Sequence, residues 1–142
     1  EIPPARKVTW DDLYDLDLET HRPSVNLQSR LSSEVSIKGF IIPMEYDEQR
    51  RVTELLLVPY IPSCMHVPPP PSNQMVHVKL NEGAKINDIF FPIEVVGHLK
   101  IAKGEFYEGY MASSYEMEVR SMEVLKDSGM DPFRDFFGSA IN

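Results

Sequence analysis

Apolar and polar residues alternate with a period of two over much of the chain, a pattern typical of β-strands. Polar or glycine-containing stretches separate the alternating runs. The predicted strands cover residues 35–45, 52–60, 74–80, 90–102 and about 111–120. The second strand is apolar at most positions, which indicates burial on both of its faces. The polar stretch between the first two strands predicts a hairpin.

Glycines interrupt two of the five predicted strands. Gly39 lies inside the first and Gly97 inside the fourth, and a glycine within a strand marks a bulge or a bend. Five strands with such bends predict a mainly β fold in the form of a small, strongly coiled barrel. The OB-like five-stranded barrel is the best-known solution of this size. An open five-stranded α+β sheet is the alternative.

Helix signals occur towards the N-terminus. Thr9 is a good helix cap and is followed by two aspartates, which suit the first turn of a helix. A short helix or turn over residues 9–18 is therefore expected to dock Trp10 on the core, with residues 20–34 forming a polar loop. The apolar face of this helix is predicted to contain Trp10, Leu13, Tyr14 and Leu18.

A second helix signal lies near the C-terminus, where Asp131 precedes Pro132 in the pattern of a capped first turn. At 142 residues the chain is expected to form one domain. Its predicted parts are an N-terminal helix and loop over residues 1–34, a β core over 35–120 and a helical tail over 121–142.

The acidic charge is concentrated in the flanks of the chain. The net charge of −8 divides into −3 over residues 1–34, zero over 35–103 and −5 over 104–142. Phosphate backbones need basic patches, so nucleic acid is excluded as a partner. No apolar run approaches the 18 or so residues of a membrane span. The start "EIPPARK" has no signal-peptide pattern and reads as a mature or trimmed terminus, which fits an exported protein with its signal removed and equally fits a shortened chain.

The chemistry that the sequence offers is concentrated in "VPYIPSCMHVPPPPSNQMVHV", residues 58–78. This segment holds the only cysteine, Cys64, and two of the four histidines, His66 and His77. In extended chain, residues two apart point to the same side, so Cys64 and His66 can bind one ion. Thiolate and imidazole together suit zinc, or copper as the second choice. His77, on the following strand, is a candidate third ligand.

A block of four prolines separates this Cys-x-His pair from the next strand. Prolines favour an extended polyproline geometry and have little backbone entropy to lose. The block predicts a rigid brace, with two amide side chains that satisfy backbone groups which the prolines leave unpaired. The residues predicted to organise the loop are Pro68, Pro69, Pro70, Pro71, Asn73 and Gln74.

Two other interpretations of the same residues remain open. Cys64 could be a thiol nucleophile activated by His66 or His77, although no oxyanion-hole motif is visible. Alternatively, Cys64 is a small buried side chain and the histidine only holds the loop together. In that case the protein is a structural or interaction module whose proline-rich loop docks a protein partner. No catalytic residue is assigned.

The same segment resembles the bacterial DUF3299 family, in which a strand ending in Val-Pro-Tyr leads into Cys-x-His-x-Pro-Pro-Pro-Pro-x-Asn-Gln. Residues 58–74 match that signature, and the resemblance extends over about residues 8–120 through "GFIIPME", "VVGHLKI" and "GYMAS". The chain departs from the family pattern at Pro62 and Ser63, which stiffen the approach to Cys64. His77 is not part of the pattern, and neither is the tail after about residue 121.

The resemblance implies a small exported protein of a Gram-negative bacterium, periplasmic or lipoprotein-like. Some family members look as if they are encoded beside ABC transporters in zinc-responsive operons, which implies membrane transporter components as partners. We therefore expect a periplasmic metal-handling protein that holds zinc first and copper second. Its expected ligands are Cys64, His66 and His77.

Overall fold

The computed structural model describes residues 5–61, 70–86, 91–102 and 113–126. The helical elements in these ranges are short: α1 is Trp10–Leu13, α2 is Val25–Leu31, and a single 3₁₀ turn covers Ser72–Gln74. None of these helices is long and apolar enough to span a membrane. The strands are β1 Arg6–Lys7, β2 Glu34–Tyr46, β3 Val52–Val58, β4 Val76–Ala84, β5 Ile93–Ile101 and β6 Tyr115–Val124.

Five of these strands form a closed ring in the order β2–β3–β4–β6–β5, and β2 closes it by pairing with β5. All neighbours in the ring are antiparallel except β4 and β6, which are parallel. The two-residue strand β1 adds to β2 in parallel. The predicted mainly β, OB-like five-stranded barrel is thus confirmed. The alternative of an open sheet is wrong, because β2 is paired on both sides.

Gly39 lies where β2 changes partners. The strand pairs with β5 as far as Gly39 and with β3 from Phe40 onwards. A Cβ atom at Gly39 would lie 2.7 Å from the carbonyl oxygen of Val58 and 2.9 Å from the Trp10 ring. Such approaches are too close for real Cβ atoms, so glycine is required for the strand to bend between its two neighbours.

Gly97 lies at a register shift between β5 and β6, as the interruption of that strand predicts. A Cβ atom there would lie 1.9 Å from the carbonyl oxygen of Glu118, so the two backbones meet more closely than a side chain allows. A second irregularity lies at Pro43 to Tyr46 in β2, across the predicted strand end at residue 45. Pro43 itself pairs with Leu55 and does not end the strand.

The barrel interior is filled by alternate residues of every strand of the ring. Tyr115 and Met117 of β6 point inward, as their alternation predicts, whereas Glu116 and Glu118 are exposed. The fully buried interior side chains include Val35, Ile37, Ile41, Leu55, Leu57, Val76, Val78, Val95 and Tyr115. Burying side chains of this kind stabilises the fold by about 1.5–3 kcal/mol each.

A second apolar cluster lies on the outer surface of the barrel over β2, β3 and β4. It consists of Phe40, Leu56, Val58 and Met75, each at most 4% exposed. In β2 and β3, Phe40, Leu56 and Val58 alternate with the interior residues, and Met75 directly precedes β4. Strand β3 is therefore buried on both faces from Leu55 to Val58. The sequence predicts this double burial from the unbroken apolar run. We call these four residues the outer cluster.

The N-terminal segment packs across the barrel through α1. Thr9 and Asp12 form a reciprocal capping box, which confirms the predicted cap. Trp10 packs against the core, and its indole N–H donates to the Lys38 carbonyl at 2.8 Å. The predicted apolar face is wrong in part, because the helix ends after one turn. Tyr14 and Leu18 are 54% and 45% exposed, and Leu16 is buried instead.

Other boundaries also differ from the predicted ones. Residues 20–34 are not only a loop, because Ser24 caps the helix α2 and Leu27 is fully buried beneath it. The turn predicted after residue 80 is strand as far as Ala84, which pairs with Val52. Strand β6 continues to Val124, four residues into the predicted tail. The predicted C-terminal helix lies outside the described residues.

Candidate functional site

We call residues 58–74 the signature segment. It leaves the barrel at the end of β3 and returns to it at the start of β4. Cys64, His66, Pro68 and Pro69 lie outside the described residues. The ends of the segment are described: Val58 to Ile61 on one side, and Pro70 to Gln74 on the other.

The returning end of the signature segment is ordered by its last proline. Pro71 is extended, with φ −64° and ψ 162°, and precedes the 3₁₀ turn. Its carbonyl accepts from the Gln74 N–H at 2.8 Å, and the Ser72 carbonyl accepts from the Met75 N–H at 3.3 Å. Because proline fixes its own φ near this value, the turn starts from a backbone that needs little further ordering.

The amide side chains that follow this proline join the signature segment to the N-terminal segment. Gln74 donates to the carbonyls of Trp10 at 2.8 Å and of Asn73 at 3.0 Å. Asn73 donates to the carbonyl of Leu16 at 3.3 Å. Both side chains are at most 4% exposed. The sequence predicts that these amides satisfy backbone groups, but it does not predict that two of the carbonyls belong to residues 57 and 64 positions away.

In the described part of the chain, the amide oxygen of Asn73 is left without a hydrogen bond, although the amide nitrogen has one. That oxygen is buried. Rotating the amide would set that oxygen against the Leu16 carbonyl, so the donor contact fixes the orientation. A buried acceptor without a partner costs free energy.

Two serines tie the signature segment to the start of β6. The Ser114 hydroxyl donates to the Ser72 hydroxyl at 2.9 Å, and the Ser114 N–H donates to the Ser72 carbonyl at 2.8 Å. Ser113 and Ser114 are almost fully buried. Sequence reasoning assigned them no role, although "GYMAS" is part of the family resemblance and ends at Ser113.

His77 lies on the outer surface of β4, opposite Leu56 of the outer cluster, and is 4% exposed. Its Nε2 atom is bonded to the carboxylate of Glu54, a partner that sequence reasoning missed. The available signal was an acid within the otherwise apolar strand "VTELLLV". Glu54 is paired in the ladder with Lys79, so its carboxylate reaches His77 diagonally. In this contact Nε2 carries the proton and donates it to the carboxylate, since an ionised carboxylate can only accept.

Met75 shares the outer face with His77 and is buried in the outer cluster. His98 lies on β5, which is not a neighbour of β4, and its side chain is exposed. The ligand set Cys64, His66 and His77 stays a prediction. Among the described residues, no three His, Cys, Asp or Glu side chains come together in a group that could hold a metal ion.

Two tyrosines near the signature segment have raised pKa values. Burial, and to a smaller extent the charge of Asp15, raises the pKa of Tyr115 far above its usual value. The Tyr115 hydroxyl donates to the carbonyl of Leu13 at 2.7 Å, so it holds α1 from inside the barrel. Burial also raises the pKa of Tyr60, and the neighbouring Tyr14 adds to the effect.

Comparison with known proteins agrees with the signature. Residues 10–124 match the model of the family described as "Protein of unknown function (DUF3299)". The chain belongs to the DUF3299 family. A crystal structure of another DUF3299 family protein, PA4066 from Pseudomonas aeruginosa PAO1, superposes with a TM-score of 0.67 at 29% sequence identity. The alignment covers 89% of this chain and 100% of that one. No curated protein is similar enough to count as a match.

Proposed function

We propose that this DUF3299 protein binds and handles a divalent metal in the periplasm, zinc first and copper second. Its ligands are Cys64 and His66 of the signature segment and His77 of β4. The single observation that carries the proposal is the bond between the Glu54 carboxylate and Nε2 of the buried His77. A metal-binding histidine commonly donates its other ring N–H to a carboxylate, which fixes the tautomer and makes the ring a better ligand.

The environment of the Glu54–His77 pair favours a specific role for it. Unpaired ionisable groups are expensive to bury, so a histidine on a buried strand face needs a reason to be there. Strand β4 leads directly out of the signature segment, and His77 is three residues after Gln74. A ligand on β4 is therefore close in the chain to the two ligands proposed in the loop.

The anchoring of the signature segment supports the same function. Its returning end is held by the Gln74 and Asn73 amides and by Ser114. A returning end that is fixed before the metal arrives loses less entropy on binding. Thiolate and imidazole ligands suit zinc and copper better than they suit calcium or magnesium. A periplasmic protein of this kind would serve as an accessory of a membrane transporter.

The test is a competition titration of the reduced protein with zinc and with Cu(I) against a chromophoric chelator. Cys64→Ser and His66→Ala are each expected to abolish most of the binding, and His77→Ala to weaken it. Glu54→Gln keeps the shape of the side chain but removes its charge, and we expect about a 10–100-fold loss of affinity. His98→Ala removes an exposed histidine on β5 and serves as the matched control.

Circular dichroism of each variant establishes that the barrel is folded. The proposal is wrong if neither metal binds the parent protein more tightly than about 1 mM, a binding free energy of about −4 kcal/mol. It is equally wrong if Cys64→Ser and His66→Ala bind like the parent protein. If His98→Ala is the only variant that loses metal binding, the metal site lies on β5 and the proposed ligand set is wrong.

A further inference from the structure

The two parallel strands of the barrel separate before they end. β4 pairs with β6 only over Val76–Lys79 and Tyr115–Glu118. Beyond this point β4 continues on β3 as far as Ala84, and β6 continues on β5 as far as Val124. Among the described pairings, the facing edges of these two continuations have no strand partner. Such an edge presents a row of backbone N–H and C=O groups.

A groove of about 850 Å³ lies along the separated strands, and we call it the β4–β6 groove. Its apolar floor contains Leu80, Val119 and Met122, which pack against the interior of the barrel. Its rim contains the exposed polar residues Asn81 and Ser121. An inserted strand would therefore meet apolar side chains on one face and water on the other, which is the environment of a half-buried strand.

The charges of the groove do not select a strongly charged partner. Its bases are Lys79, Lys100 and Arg120, and its acids are Glu82, Glu116 and Glu118. Lys100 is paired with Glu118 at 2.8 Å, and Arg120 is paired with Glu34 of β2 at 2.8 Å. A polyanion such as nucleic acid would need an excess of bases. Recognition through backbone groups requires no such excess.

We infer that the β4–β6 groove accepts an extended peptide segment of a partner protein as an additional strand between β4 and β6. Main-chain hydrogen bonds to both edges supply most of the affinity in this mode of recognition. Alternate side chains of the peptide face the floor, so they are apolar, and the others are polar and face water. His77, a proposed metal ligand, also lines the groove, but the main-chain pairing proposed here uses the strands beyond Lys79 and Glu118 and does not need its ring.

The probe is a synthetic peptide, acetyl-Thr-Val-Lys-Val-Glu-Val-Thr-amide, which spans about 23 Å when extended, at about 3.3 Å per residue. It is titrated into the ¹⁵N-labelled full chain and followed by amide chemical shifts. We expect shifts, and slower solvent exchange, at the amides of residues 80–84 and 119–124. Amides of β2 serve as the internal control and are expected to stay unchanged.

Two matched peptides test whether both edges take part. In a strand, the backbone groups of odd and even residues point to opposite sides. N-methylation of alternate residues therefore blocks one edge of the peptide, and methylation of the other set blocks the opposite edge. Each peptide loses at least two hydrogen bonds, so each is expected to bind roughly tenfold more weakly or worse than the parent peptide.

Three outcomes would overturn the inference. The first is the absence of shifts in the groove at millimolar parent peptide. The second is that one or both methylated peptides bind as well as the parent, which would indicate a single edge or side-chain contacts alone. The third is that the same amides shift with protein concentration without peptide, together with dimerisation in sedimentation, because a second copy of this chain would then be the occupant.

Discussion

Gln74 is 2% exposed, yet its amide nitrogen reaches the backbone carbonyls of Trp10 and Asn73. Gln74→Met keeps the length of the side chain and removes the donor. Two buried carbonyls then lose a hydrogen bond, and we expect the free energy of unfolding to fall by about 1–3 kcal/mol. Urea denaturation measures this difference.

Gln28→Met is the matched control for Gln74→Met. Gln28 is exposed on α2, and surface substitutions of this kind change stability by about 0.5 kcal/mol or less. Equal effects of the two substitutions would show that Gln74 does not anchor the signature segment.

A second prediction concerns Tyr115 and the dependence of protein stability on pH. Burial raises its pKa, so the folded state keeps the hydroxyl protonated at pH values where the unfolded chain ionises. The stability that this provides is fully present below the unfolded value near pH 10 and is lost as the pH rises towards the folded pKa. The parent protein should therefore lose stability between pH 8 and pH 11 more steeply than Tyr115→Phe.

Urea denaturation of both proteins at the two pH values provides the measurement. At pH 8, Tyr115→Phe should be about 1 kcal/mol less stable, because the Leu13 carbonyl loses its donor. Tyr46→Phe alters an exposed tyrosine and should follow the parent protein at both pH values. If Tyr115→Phe and the parent protein lose stability in parallel above pH 10, the buried hydroxyl is not the cause.

At the scale of elements, Gly97 is the described glycine with the least space for a side chain, because β5 and β6 meet closely there. Gly97→Ala would set a Cβ atom 1.9 Å from the Glu118 carbonyl oxygen, and only backbone movement can relieve that contact. We expect a loss of at least about 2 kcal/mol, in the range of severe point substitutions. Ser121→Ala, an exposed position opposite Val96 in the same ladder, should change stability by no more than about 0.5 kcal/mol. Thermal unfolding midpoints compare the two, and similar midpoints would contradict the close approach of β5 and β6 at Gly97.

The sequence predicts the elements that follow from a local pattern of residues, and it misses those that depend on contacts with distant parts of the chain. The strands and their inward faces follow from the period of two, as for Tyr115 and Met117. Helix α2 does not, because it has under two turns and is held mainly by burial of Leu27 against the barrel. The extension of β4 to Ala84 contains turn-forming residues and exists because it pairs with Val52.

The candidate site, like the fold, can be predicted from the sequence only in part. The signature segment and its chemistry are readable from residue types and spacing. The Glu54–His77 contact is not, because it depends on the register of β3 against β4, which pairs Leu56 with His77. A one-residue change of register would send Glu54 to the other face. The partners of Gln74 and Asn73 are equally invisible, since they are backbone carbonyls brought close only by the docking of α1.

At the scale of the whole molecule, the N-terminal segment and the barrel share one core. Val8, Leu13, Leu16 and Leu27 belong to the same buried cluster as the strands. The segment should therefore unfold together with the barrel in a single cooperative transition. Trp10 is the only tryptophan, so its fluorescence reports on this segment alone.

We expect the urea midpoints of Trp10 fluorescence and of the β-sheet signal in circular dichroism to coincide. In Gln74→Met both midpoints should fall to a lower urea concentration and should still coincide. A fluorescence transition that precedes the circular dichroism transition in the parent protein would show that the N-terminal segment undocks independently.

The sharing of β2 between β3 and β5 also has a consequence for the order of assembly. The antiparallel β2–β3–β4 meander needs only contacts between neighbours in the chain. The ring closes only when β5 reaches the first half of β2 and β6 reaches β4 in parallel, and both contacts join distant parts of the sequence. Closing such long loops slows folding to the millisecond-to-second range. During synthesis the meander therefore forms before the closed barrel. Gly39, where β2 changes partners, separates the part of β2 that pairs in the first stage from the part that pairs in the second.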